Sequence, residues 1–174
     1  CAMTAINSHS LRLVAQEAVD YDGDLWIIYA GNNELTGPFG AATVFGPRAP
    51  SLTFIRTRLA LKRARLGQAL SALGERLTRR SSTHAAWGGL KMFLQSQLPP
   101  DDPGRQRARE HFEANLEAIV RTGVRAGLPV VLSTVAVNLK DCGPFASLPS
   151  ARIEEPARTN LVRWLETGKA NEAA

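Results

Sequence analysis

Cysteine is scarce in this chain: Cys1 and Cys142 are the only two among 174 residues, too few for a disulfide framework. No Cys/His cluster has the spacing of zinc ligands, so no structural metal site is expected, and no cofactor either. Long apolar runs are lacking as well; none approaches the roughly 18 residues that a membrane-spanning helix needs. Long polar tracts are equally absent. With 44% hydrophobic and 21% charged residues, the chain carries enough apolar surface for a sizeable core, which excludes wholesale disorder. It has neither an initiator methionine nor a signal peptide: it opens Cys1-Ala2-Met3-Thr4 and closes Asn171-Glu172-Ala173-Ala174 within a helix-favouring run. Both ends therefore read as internal to a longer polypeptide, and localisation stays open. A lipid-anchored Cys1 is disfavoured because it leads straight into an ordered-looking segment instead of a flexible polar linker.

What is present alternates between helix and strand patterns. Leu11, Val14, Ala15 and Ala18 recur at helical intervals over residues 7–19, and Asp20-Tyr21-Asp22-Gly23-Asp24 breaks the run. Leu25-Trp26-Ile27-Ile28-Tyr29-Ala30 is a short continuous apolar run that predicts a buried parallel strand. A Gly/Asn/Pro loop follows over residues 31–40, the kind of segment that carries chemistry when a strand holds it. Residues 51–78 place Leu52, Ile55, Leu59, Leu66, Leu70, Leu73 and Leu77 on one side of a long helix, with Ser51 as its N-cap. Residues 81–89 read as a break, 90–97 as a short helix, and 104–125 as a second good helix with Phe112, Leu116, Ile119 and Val120 inward and Gly127 at its C-terminal cap. Residues 129–137 repeat the buried-strand signature, giving the αβ half of a crossover unit. A Pro/Gly/Ser loop then leads to a terminal helix from Pro156, where Trp164-Leu165, Gly168 and Glu172-Ala173 resemble the opening of a tetratricopeptide repeat as well as they suit an ordinary helix.

The net charge of +5 is local in origin. Arg56, Arg58, Lys62, Arg63, Arg65, Arg76, Arg79 and Arg80 face a single acid, Glu75, so residues 56–80 carry +7. Such a helix could hold phosphate, but aromatic residues do not interleave with it and no nucleic-acid motif is present, so sequence-specific nucleic-acid binding is not expected. A solvated face, or one meeting an acidic protein or anionic surface, accounts for it better.

Gly31-Asn32-Asn33-Glu34 falls at the carboxyl end of the first strand, where open α/β sheets bind ligands. An Asn amide there can donate to a developing oxyanion, and glycine lets substrate approach the backbone. A turn that uses Asn and Gly for left-handed conformations suits the same spacing. Three histidines and many serines supply triad residue types, yet no spacing sets up a triad. Ser8 and His9 are consecutive at a helix start, so their side chains should diverge; His111 beside Phe112 reads as half-buried or capping, and His84 as a solvated loop residue.

Tyr29-Ala30-Gly31-Asn32-Asn33-Glu34 resembles the third conserved block of the SGNH/GDSL esterases, Gly-x-Asn-Asp, with Glu34 in the Asp place. Residues 3–9, His111-Phe112 with Asn115-Leu116, Gly37-Pro38-Phe39-Gly40, and residues 134–145 are similar to a bacterial branch of that superfamily. The resemblance implies a flavodoxin-like three-layer α/β/α sandwich with parallel strands and a helix-rich insertion. Residues 1–150 would be the central part of the hydrolase-like domain, and 151–174 the start of a helical, tetratricopeptide-like segment.

It further implies serine ester hydrolysis, with Asn33 donating its side-chain amide to the oxyanion, Ala5 supplying a backbone N–H where the second block has glycine, and Gly31 beside them. Thr4, Asn32 and Glu34 would be substrate-adjacent. Two departures stand out: no Gly-Asp-Ser-type nucleophile block precedes these residues, and no Asp-x-x-His occurs in the chain. The expectation is a central piece of an ester hydrolase that carries the oxyanion-hole half and awaits the rest of its polypeptide. A non-catalytic scaffold that holds an acidic partner on the basic helix 51–80 is the alternative.

Overall fold

The computed structural model describes residues 6–65, 67–69, 90–137, 148, 150 and 152–172. Within them, helix α1 (Ser8–Ala18) precedes strand β1 (Trp26–Tyr29) and helix α2 (Leu52–Arg63). A 3-10 helix (Leu90–Ser96), helix α3 (Pro103–Arg125), strand β2 (Val130–Ser133) and helix α4 (Glu155–Glu172) complete the order. The protein is mixed α/β and mostly helical, with a two-strand parallel sheet among the described residues.

The longest helix among the described residues, α3, ends as its sequence predicts and starts one residue earlier, at Pro103. Asp102 Oδ1 accepts from Gly104 N–H at 2.7 Å, Pro103 occupies the first turn, and the backbone N–H groups of Gly127 and Leu128 return to Val124 O and Gly123 O, both at 3.0 Å. That pair of closing bonds is a Schellman motif, built on Gly127 at φ +77. The chain then enters β2, which pairs in parallel with β1 in the register Trp26↔Val130 to Tyr29↔Ser133. A small core joins the layers: Ala15 of α1, Ile28 of β1 and Ile119 of α3 are buried, with Leu11, Trp26, Leu116 and Val130 packed around them.

Two expectations are corrected. The strands are parallel, but they are not buried on both faces: Ile27, Tyr29 and Val131 on one face are exposed, and on the face that packs against α1 and α3 Ile28 is buried while its partner Leu132 is exposed. The long helix from Ser51 begins as predicted, with Ser51 Oγ accepting from Phe54 N–H at 3.3 Å, yet it does not run through to residue 78. Ala64 turns to an extended ψ of 135°. Gly67 folds back against the backbone of Leu61, an approach that a Cβ would block, and Gln68 Nε2 donates to Lys62 O at 3.1 Å. Leu66, Leu70, Leu73, Leu77, Arg76, Arg79 and Arg80 lie outside the described residues, as does His84.

Candidate functional site

The loop after β1 leaves the strand at Gly31, whose φ of +139° suits glycine; a Cβ there would lie 3.3 Å from Val135 Cγ2. A series of turns follows, closed by Gly37 N–H to Asn33 O at 2.7 Å and Ala42 N–H to Leu35 O at 2.8 Å. Gly37 comes so near the head of α1 that a Cβ would stand 3.1 Å from Asn7 Cβ. Phe39 holds φ 63° despite its side chain, a local strain that the surrounding contacts maintain.

Four hydrogen bonds tie this loop to residues 6–8. Asn33 Nδ2 donates to Ile6 O at 3.2 Å, and Asn7 Nδ2 donates to Pro38 O at 2.7 Å. Ser8 donates twice to Glu34, from its backbone N–H to Oε1 and from Oγ to Oε2, each at 2.7 Å. The physical logic is a capping exchange. Asn7 is the N-cap residue of α1, but its side chain makes no capping bond: Nδ2 is held by Pro38 O, and Oδ1, the atom that could accept from the first turn, has no partner among the described residues. Glu34, 26 positions downstream of Ser8, instead takes an N–H that the first turn leaves free, and brings a negative charge to the positive end of the helix.

Helix α3 closes the cluster from the other side. Asn115, with no exposed surface, places Nδ2 3.1 Å from Ser8 Oγ and 2.9 Å from His9 Nδ1. An amide that donates to Nδ1 requires the neutral His9 tautomer with its proton on Nε2. The environment agrees: burial, then the nearby His111, Arg12 and Arg56, pushes His9 down to about 4. His111 is lowered as well, chiefly by burial and against the pull of Glu110. The two rings meet edge to face at 5.5 Å, and Phe39 contacts His9 in the same way at 6.0 Å. Burial raises Glu34, opposed by its two bonds from Ser8. Asn7 Oδ1, His111 Nδ1 and Asn115 Oδ1 are buried without a hydrogen-bond partner among the described residues.

The expected separation of Ser8 and His9 is thus only partial. Their side chains take different directions, to Glu34 and to the aromatic contacts, but both meet the same Asn115 amide. His111 is buried in mid-helix, neither half-buried nor capping. Ser8 and His9 are not hydrogen-bonded to each other, so the pair lacks the nucleophile-base contact of a triad.

Of the sequence-predicted site residues, Asn33, Asn32, Gly31 and Glu34 share one loop at the end of β1, while Ala5 and Thr4 lie outside the described residues. Asn33 is directed at Ile6, where the second amide N–H is left without a partner among the described residues. Gly31, Glu34 and Leu35 border a cavity of about 570 Å³ whose other wall is the first turns of α3. Sequence reasoning noted residues 7–9, His111 and Asn115 as points of likeness without giving them a joint role. The signal was there in the spacing of His111 and Asn115, four apart on one helix face. Among the described residues no group of three His, Cys, Asp or Glu side chains is placed to hold a metal ion, and no helix is long and apolar enough to cross a membrane.

No family model, curated protein or solved structure matches this chain.

Proposed function

We propose that the chain belongs to a serine ester hydrolase of the SGNH/GDSL type, with a flavodoxin-like α/β/α sandwich, and supplies part of its oxyanion hole. The observation that carries this reading is the junction of two distant segments at the carboxyl end of a parallel strand. Asn33 meets Ile6, Glu34 meets Ser8, and Asn7 meets Pro38. This is the convergence that the second and third blocks of the resemblance require. Asn33 then has one N–H held by Ile6 and a second available to an incoming carbonyl oxygen.

In the proposed reaction a serine from outside this chain attacks an ester carbonyl. The carbonyl π electrons move to oxygen, and the Asn33 amide with neighbouring backbone N–H groups stabilises the resulting oxyanion. The alcohol leaves with a proton, water then cleaves the acyl-enzyme, and a carboxylic acid is released. Neither Ser8 nor His9 takes part, since each is committed to the buried cluster.

The test is turnover of an aryl ester by the full-length protein and by its Asn33→Ala variant. A lost oxyanion donor costs on the order of 10² to 10³ in kcat, with KM changed far less. Absence of turnover by the full-length protein, or an unchanged kcat in a folded Asn33→Ala variant, overturns the reading. The scaffold alternative gains no support from α2, where Arg63 pairs with Glu17 at 2.8 Å and Arg58 lies 5.8 Å over the Phe39 ring.

A further inference from the structure

The cavity beside the 31–35 loop has a divided lining. Leu35, Ala108 and Phe112 give it an apolar part and are buried or half-buried, while Arg105 and Arg109, four residues apart on α3, line it and are exposed. Three acids border the same space, and each has a partner. Glu34 holds the two Ser8 donors, Asp102 caps α3 through Gly104 N–H, and Asp101 stands 3.7 Å from Arg152. The arginines on α3 are not so engaged. Arg109 has no ion-pair or hydrogen-bond partner among the described residues, and Arg105 has only a 3.4 Å contact to Leu98 O. An arginine pair four residues apart on one helix face matches the oxygens of a single oxyacid group, which it can bind through charge-assisted and bidentate hydrogen bonds.

We propose that this cavity binds an anionic oxyacid group, carboxylate or phosphate, with Arg105 and Arg109 on its oxygens and the attached apolar part against Phe112 and Leu35. The volume, about 570 Å³, is that of a small-molecule site. Gly31 joins this cavity to the candidate oxyanion loop, so the anion would be a feature of the ester substrate: an ester whose acyl or alcohol part bears a second, negatively charged group. Placing the anion on the ester rests on the ester-hydrolase reading; the anion site itself does not.

The experiment measures binding of phenylacetate, phenyl phosphate and phenylacetamide to the full chain by NMR shifts at Gly31 and Phe112. These probes share an aromatic ring and differ in charge and in the oxyacid. One or both anions should bind about tenfold or more tightly than the neutral amide, and the preferred anion names the oxyacid. Added salt should weaken that binding, and so should the double substitution Arg105→Gln with Arg109→Gln.

Equal binding of the amide, salt-independent binding, no binding of any probe, or full affinity in a folded double variant each overturns the site. If the double variant does not fold, the charge comparison and the salt series on the unchanged protein still decide the matter. Turnover separates the two readings. Anion binding by a full-length protein that hydrolyses no ester leaves the site standing and removes the enzyme assignment. Hydrolysis of neutral and anionic esters with the same KM leaves the enzyme assignment standing and overturns the placing of the anion on the ester substrate.

Discussion

Asn115 reaches two consecutive residues of another helix with one nitrogen: its Nδ2 lies 3.1 Å from Ser8 Oγ and 2.9 Å from His9 Nδ1. Because Ser8 also holds Glu34, this buried amide links α3, the head of α1 and the loop after β1 in a single chain of hydrogen bonds.

Replacing Asn115 with leucine keeps the branched shape, adds some volume and removes the donors. Ser8 Oγ keeps Glu34, but His9 Nδ1 becomes a buried acceptor without a partner, at a cost of about 1–3 kcal/mol that removal of the unpartnered Asn115 Oδ1 offsets only in part, because the two hydrogen bonds of Nδ2 are lost as well. The denaturant midpoint should fall while the m-value stays constant. A midpoint equal to that of the unchanged protein would mean that the amide contributes nothing to the junction.

The buried histidine makes stability depend on pH. An unfolded His titrates near 6.5 and folded His9 near 4, so the unfolded state takes up a proton that the folded state refuses in that window. Stability from His9 is therefore complete above about pH 6.5 and declines as pH falls towards 4. The loss by pH 4.5 is on the order of 1–2 kcal/mol once solvent screening is allowed for. Glu34 acts in the opposite sense. Its folded value is raised, so its contribution improves as pH falls through that value. Glu34→Gln removes the compensation, and the variant should lose more stability between pH 7 and 5 than the unchanged protein. An NMR titration should show His9 still neutral at pH 5; a protonated ring at that pH contradicts the assignment.

The uncovered side of the sheet should drive self-association. Ile27 is 69% exposed, Tyr29 53% and Val131 49%, and they adjoin on two hydrogen-bonded strands. An apolar strand face of this kind is an aggregation hazard. Light scattering of the 174-residue chain should rise with concentration, and Ile27→Lys should suppress the rise without lowering the unfolding free energy by more than about 0.5 kcal/mol. Concentration-independent, cooperative unfolding of a monomer would contradict this expectation.

Much of the local structure was legible in the residues. The Gly127 stop of α3 is read from the sequence because a cap depends on atoms within a turn of the helix end, and the Asp102 cap with Pro103 is a signal of the same local kind, one residue ahead of the start expected at 104. The two short apolar runs gave the strands for the same reason. The break at Ala64 was not legible. Apolar spacing continues through it, and α2 ends where Ala64 turns to an extended ψ and Gly67 comes back against Leu61, a contact that no periodicity encodes. Strand burial was overread, since an apolar run shows that a strand can be covered on both sides and says nothing about what covers it.

By itself, the sequence determined the order and type of the elements, the local caps, and the placing of Gly31, Asn33 and Glu34 on a loop after a parallel strand. Those features arise from interactions between near neighbours and from hydrophobic spacing. The tertiary structure alone decided that Glu34 would cap α1, that Asn7 would serve the loop instead of its own helix, and that His9 would stay neutral against Asn115. Each of these depends on groups tens of residues apart being buried together, where an unpaired donor or a charge is costly and the partner is set by the packing of the helices.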